Sequence, residues 1–176
     1  MKYLLDTNTC IKYLNGRSES IRRHMEINHP EDIAICSVVK AELFYGSMKS
    51  KYPEQNLQKQ KRFLNRFVSY PFDDETAEIY GNIRSKLEKA GTPVGPNDLM
   101  IAAIALVRNA VLVTHNTGEF NRIEGLLLED WKTGRRNNLN MPYRGRISLN
   151  LMVLQAIPQQ SVTDRDVFYH PVTDND

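Results

Sequence analysis

Lys2-Tyr3-Leu4-Leu5-Asp6-Thr7-Asn8 opens the chain with a short apolar run that stops at an acid. A run of that length, bounded by a polar residue, reads as a strand buried on both faces. Ile33-Ala34-Ile35-Cys36 and Ala110-Val111-Leu112-Val113 repeat the pattern. Helical signals fill the intervals. Ser18 caps a helix over 19–27, and Ser37 caps another over 38–48. Residues 53–68 form an amphipathic helix, with Leu57, Phe63, Leu64 and Phe67 opposite Lys59, Lys61, Arg62 and Arg66. A further helix begins at Asp74, carries Ala77, Tyr80, Ile83 and Leu87 at helical spacing, and runs to Ala90 before Gly91 stops it. Short buried strands alternating with helices predict an α/β fold with a central parallel sheet. Right-handed crossovers make it a three-layer α/β/α arrangement.

In open parallel sheets, ligands bind beyond the carboxyl ends of the strands. The polar residues of this chain gather at that edge. Asp6 ends the first strand, Ser37 the second and Thr114 the third. Glu42 lies about one and a half turns into the helix behind Ser37. Asp98 occupies the first turn of the helix after Pro96, where unpaired backbone N–H groups favour an anion. Glu119 follows Thr114-His115-Asn116-Thr117-Gly118. Taken singly, Asp6 and Asp98 also read as cap residues, and Glu42 and Glu119 as surface charges. All four falling near one edge points instead to a site for a hard divalent cation, which oxygen ligands hold without any Cys/His cluster.

The 176 residues are 41% hydrophobic and 25% charged, the balance of one globular domain with room for an appendage. The net charge of +2 excludes a strongly basic nucleic-acid coat. Lys+Arg and Asp+Glu balance over residues 1–131, so the excess falls in the tail and a polyanion must bind through local patches. Lys12, Lys40 and Lys49 near the rim are candidates to steer such a polyanion, although solvated surface charge is their default reading. Cys10 and Cys36 lack metal-type spacing and suit reduced core thiols in a cytoplasmic protein. Asp6 comes too early for a signal peptide, and Arg108-Asn109 interrupts the longest apolar stretch, so no membrane association is expected.

Five segments carry a family resemblance: Leu4-Leu5-Asp6-Thr7-Asn8; residues 37–46 with Glu42-Leu43-Phe44-Tyr45-Gly46; Gly95-Pro96-Asn97-Asp98-Leu99-Met100; residues 112–120 with Thr114-His115-Asn116; and Leu128-Glu129-Asp130-Trp131. In this order they resemble a PIN-domain ribonuclease of the VapC toxin type. The resemblance implies a PIN-like fold over residues 1–131 and a magnesium- or manganese-dependent endoribonuclease, the toxic half of a toxin–antitoxin pair. It further implies RNA as substrate, a small cognate antitoxin as partner, and a homodimer. Asp6 and Asp98 become the metal ligands, and Glu42 and Glu119 further catalytic acids, with Asn116 the alternative to Glu119 at the fourth position. Thr7, Ser37, Thr114 and Asn116 are supporting candidates, and His115 reads as polar variation without a catalytic part.

Other classes fit less well. A phosphatase using a strand-end Asp as phosphate acceptor wants a second Asp two residues on, and position 8 is Asn. Receiver domains need an acidic pair and a later Lys in a pattern not evident here. A catalytically silent PIN-like module that binds RNA or protein is the alternative, disfavoured by the intact Asp6, Glu42 and Asp98. Residues 132–176, with Arg135-Arg136, Arg144-Gly145-Arg146 and an apolar run over 147–157, read as an inert extension in preference to a basic arm for RNA or a partner.

Overall fold

The computed structural model describes residues 1–137. Its strands are β1 (Tyr3–Leu5), β2 (Ile33–Cys36), β3 (Val68–Tyr70), β4 (Val111–Val113), β5 (Leu128–Asp130) and β6 (Arg135–Asn137). Its helices are α1 (Thr7–Leu14), α2 (Glu19–Ile27), α3 (Ser37–Met48), α4 (Pro53–Leu64), α5 (Asp74–Lys89), α6 (Pro96–Val107) and the single turn α7 (Thr117–Phe120). The basic pair Arg144 and Arg146 and the apolar run over 147–157 lie outside the described residues.

The sheet has the order β3-β2-β1-β4-β5-β6. Its first five strands are parallel, as the alternating pattern predicts, and β6 is antiparallel on β5, with Asp130 opposite Arg135. The chain moves outward from β1 through β2 to β3, then crosses back to lay β4 on the other side of β1. Right-handed crossovers therefore put α1 to α4 on one face and α5 to α7 on the other. The strands between these layers are buried on both faces: Leu4, Leu5, Ile35, Leu112 and Val113 are fully enclosed. Leu43, Ile101, Ile104, Phe120 and Trp131 supply the helical and C-terminal parts of the same core.

Several local predictions need correction. The helix predicted over 53–68 stops at Leu64, and Val68–Tyr70 pairs with β2 as an edge strand. Pairing with β2 satisfies backbone groups that a longer helix would have kept to itself. Ser37 does not cap α3. The cap position is Cys36, and the Ser37 hydroxyl accepts the Phe72 N–H at 3.1 Å, tying the loop after β3 to the start of α3. Ser18 caps α2 as read, accepting the Ile21 N–H. Asp73, one residue before the predicted start, caps α5 through the Thr76 N–H.

Asn109 explains why the apolar stretch breaks where it does. Its φ of 47° is left-handed, and its N–H reaches the Leu106 carbonyl while the Ala110 N–H reaches Ala105. These bonds close α6 and turn the chain directly into β4, a conformation that Asn tolerates better than most residues.

Candidate active site

The sheet reverses its order of winding between β1 and β4, the position at which parallel sheets open a crevice. Asp6 leaves β1 there. Its N–H is bonded to the Val113 carbonyl on β4, and its carboxylate caps α1 by accepting the Thr9 N–H at 2.6 Å. The other carboxylate oxygen accepts the Thr114 hydroxyl at 2.7 Å. Asp6 is only 4% exposed, and burial raises its carboxyl above the usual value against the pull of those hydrogen bonds. Cap and candidate ligand are thus one residue.

Thr114 continues the network. Its oxygen accepts the Asn116 N–H at 3.0 Å, and the Asn116 side chain lies beside Asp98, where it lowers the carboxyl. Asp98 sits in the first turn of α6, behind Pro96. Its pKa is pushed up to about 6 by burial, then by the negative charges of Glu119, Glu42 and Asp6, with the Asn116 side chain opposing. The four acids singled out in the sequence therefore share one electrostatic neighbourhood, although they come from the junction of β1 and α1, from α3, from α6 and from α7. Electrostatic repulsion of that kind favours either a proton or a cation.

Glu42 is oriented from two sides. Thr7 donates its hydroxyl to one oxygen, and the Asn97 amide donates to the other at 2.9 Å. Thr7 thus reaches across from α1 to α3. Asn97 is a site residue that the sequence reading passed over; its adjacency to Asp98 at a helix start was the available signal. Ser37 is exposed and engaged with Phe72.

Among the described residues, no group of three or more His, Cys, Asp or Glu side chains is gathered tightly enough to enclose a metal ion as the side chains lie. A magnesium ion needs fewer protein ligands than that, because it keeps several waters and commonly takes one or two carboxylates. Asp6 and Asp98, hard oxygen donors whose ionised forms are both disfavoured by burial, fit such an ion in chemistry. Cys10 and Cys36 are free, buried and held above their usual pKa by burial, which removes them from ligand duty.

His115 is turned to a separate task. Its Nδ1 lies 2.9 Å from Asp130 Oδ2, which also accepts the Thr133 hydroxyl at 2.8 Å. Burial would raise Asp130, yet the bonds from His115, Thr133 and the Lys132 N–H outweigh it and hold the carboxyl below its ordinary range. Just beyond, Trp131 is 1% exposed, stacks on His24 at 5.1 Å and meets Tyr3 edge-on at 5.3 Å.

Known proteins share this fold. A family model described as the PIN domain matches residues 3–126. The tRNA(fMet)-specific endonuclease VapC of Salmonella typhimurium is 43% identical over 131 residues, covering 74% of this chain and 98% of that protein. Ribonuclease VapC2 of Rickettsia felis is 44% identical over 132 residues, with the same coverage. Among solved structures, DNA-bound VapBC from Salmonella typhimurium has a TM-score of 0.71 at 43% identity over 74% of this chain and 98% of that one. VapBC2 from Rickettsia felis bound to a promoter DNA fragment has a TM-score of 0.70 at 43% identity, covering 74% of this chain and 99% of that one. With the strand order, the acids at its reversal and these likenesses in agreement, the chain belongs to the PIN-domain family and, within it, to the VapC group.

Proposed function

We propose that this protein is a magnesium-dependent endoribonuclease and the toxin of a toxin–antitoxin pair. One observation carries the reading: Asp98 lies half-buried among the negative charges of Glu119, Glu42 and Asp6 at the point where the sheet reverses, an arrangement that pushes its carboxyl up to about 6. Such a site is under electrostatic tension that a divalent cation relieves. A bound Mg2+ or Mn2+ supplies an activated water and offsets negative charge on the scissile phosphate. Asp6 and Asp98 hold the ion. Thr114 fixes the first of these carboxylates and Asn116 lies beside the second, so that little reorganisation accompanies the reaction. Glu42, aligned by Thr7 and Asn97, and Glu119 complete the negative field, and one of them accepts the proton of the attacking water.

The first RNA to try is initiator tRNA, the substrate in the name of the Salmonella relative. The named VapBC complexes support an antitoxin as the second partner, whose basic side chains suit the same carboxylates. We propose a homodimer as well. Cleavage of initiator tRNA by the purified chain should require Mg2+ or Mn2+, stop with EDTA and fail with Asp6→Asn. Expression in a bacterium should arrest growth by halting translation, and the Asp6→Asn variant should not. Tight RNA binding with no cleavage under any divalent ion would favour the silent binding module.

A further inference from the structure

We infer that the turn between β5 and β6 contacts the RNA backbone, with Lys132 receiving a phosphate beside the scissile one and His115 holding that lysine in position. The inference rests on the ribonuclease reading and adds a substrate contact to it.

The topology brings the turn to the correct edge. β5 runs parallel to β4 and β1, so Asp130 ends where Thr114 and Asp6 end, two strand positions from Asp6. At about 4.8 Å per strand that is roughly 10 Å along the rim. The separation suits a phosphate neighbouring the one at the acids.

The turn itself is built. Asp130 accepts the Lys132 N–H at 2.8 Å through Oδ1, and the Thr133 hydroxyl and His115 through Oδ2; its carbonyl accepts the Gly134 N–H at 2.8 Å. Gly134 closes the turn at a φ of 73°, a left-handed conformation that glycine adopts without strain. With His115 Nδ1 facing Asp130, its Nε2 meets the Lys132 Nζ at 3.2 Å. The ammonium is held by an imidazole instead of a carboxylate, and two of its protons stay available for an incoming anion. Lys132 and Arg135 are both exposed, and Arg135 sits opposite Asp130 in the β5–β6 register.

Charge supplies the motive. Four carboxylates repel a polyanion, and residues 1–131 offer no net positive charge to offset them. A cation fixed beside the acids draws the strand in and sets its register. β6 also lies beyond the residues that the family model matches, which end at 126.

The test uses the full chain and an initiator tRNA transcript. Binding is measured across a salt series with calcium in place of magnesium, and cleavage at saturating RNA with magnesium. Lys132→Ala should weaken binding about three- to tenfold and lower the slope of log affinity against log salt by about 0.7 to 0.9, the share of one phosphate contact. Its kcat should stay within about twofold of wild type, as expected of uniform binding lost from ground and transition states alike. Lys132→Arg should restore most of the affinity, and Arg135→Ala gives a second reading should Lys132→Ala disturb the turn. His115→Ala should weaken binding less than Lys132→Ala and add little to it in the double variant. Unchanged slopes for Lys132→Ala and Arg135→Ala overturn the inference, as does a loss confined to antitoxin binding. A wild type that binds the transcript but cuts no RNA refutes the enzyme reading alone.

Discussion

Thr114 on the loop after β4 donates its hydroxyl to Asp6 at the end of β1, joining the two strands at the reversal of the sheet through a 2.7 Å side-chain bond. The same oxygen accepts the Asn116 N–H, so one hydroxyl holds both a buried acid and the loop that supports Asp98. Thr114→Val keeps the shape and removes the hydroxyl. It should cost about 1 to 3 kcal/mol of stability and raise the Mg2+ concentration needed for half-maximal cleavage. Thr114→Ser should recover most of both. Denaturant titrations in EDTA and a magnesium titration of cleavage check the two effects.

Asp98→Asn should lower cleavage by about a hundredfold or more, since it removes a candidate anionic ligand and its field. Without metal the same variant should be more stable than wild type by about 1 kcal/mol, a few degrees in Tm, after allowance for solvent reaching the half-buried group. Melting in EDTA reads this directly. A variant that is inactive and also less stable in EDTA would mean that Asp98 serves chiefly as a helix-start residue.

The pH dependence runs opposite to ordinary acid denaturation. Asp98 titrates at about 6 in the folded chain against 3.8 for the free side chain, so between those values the folded state binds more protons than the unfolded. Stability from this group is therefore present at low pH and lost as pH rises through about 6. Asp6, also raised, adds in the same direction, while Asp73 and Asp130, both lowered, act the other way. In EDTA, Asp98→Asn should flatten the fall in Tm between pH 4 and about 6. Mg2+ affinity should decline below pH 6 as protons compete for the carboxylate.

Trp131 fastens the end of the shared core by stacking on His24 of α2 and meeting Tyr3 of β1. Trp131→Ala should cost about 3 to 5 kcal/mol through the cavity it leaves. Trp131→Phe should cost clearly less, because among the described residues the indole N–H has no hydrogen-bond partner to lose. Chemical denaturation of the two variants measures the difference.

Much of this architecture is legible in the residues. β1, β2 and β4 announce themselves because each is buried on both faces and so reads as an unbroken apolar run. β3, β5 and β6 do not: Val68 and Ser69 on the sheet edge are exposed, and β5 and β6 carry Glu129-Asp130 and Arg135-Arg136 where the other strands are apolar. The predicted helix over 53–68 ran into β3 for that reason. Ser37 misled because a hydroxyl before a helix is a fair cap signal, whereas here the Phe72 N–H, 35 residues away, claims it.

The sequence by itself determined the layer architecture and the identity of the acids, since strand burial, helix starts and carboxylate positions are local properties of the chain. Only the tertiary structure decided that β4 returns to lie beside β1, and this crossing brings Thr114 to Asp6 and Asn116 to Asp98. It also decided that His115 turns from the acids toward Asp130 and Lys132, and that Asn97 aligns Glu42. These contacts join residues as far as 108 positions apart. Their geometry depends on how the strands order themselves to bury both faces of the sheet, which is a property of the packed whole and leaves no local periodicity to read.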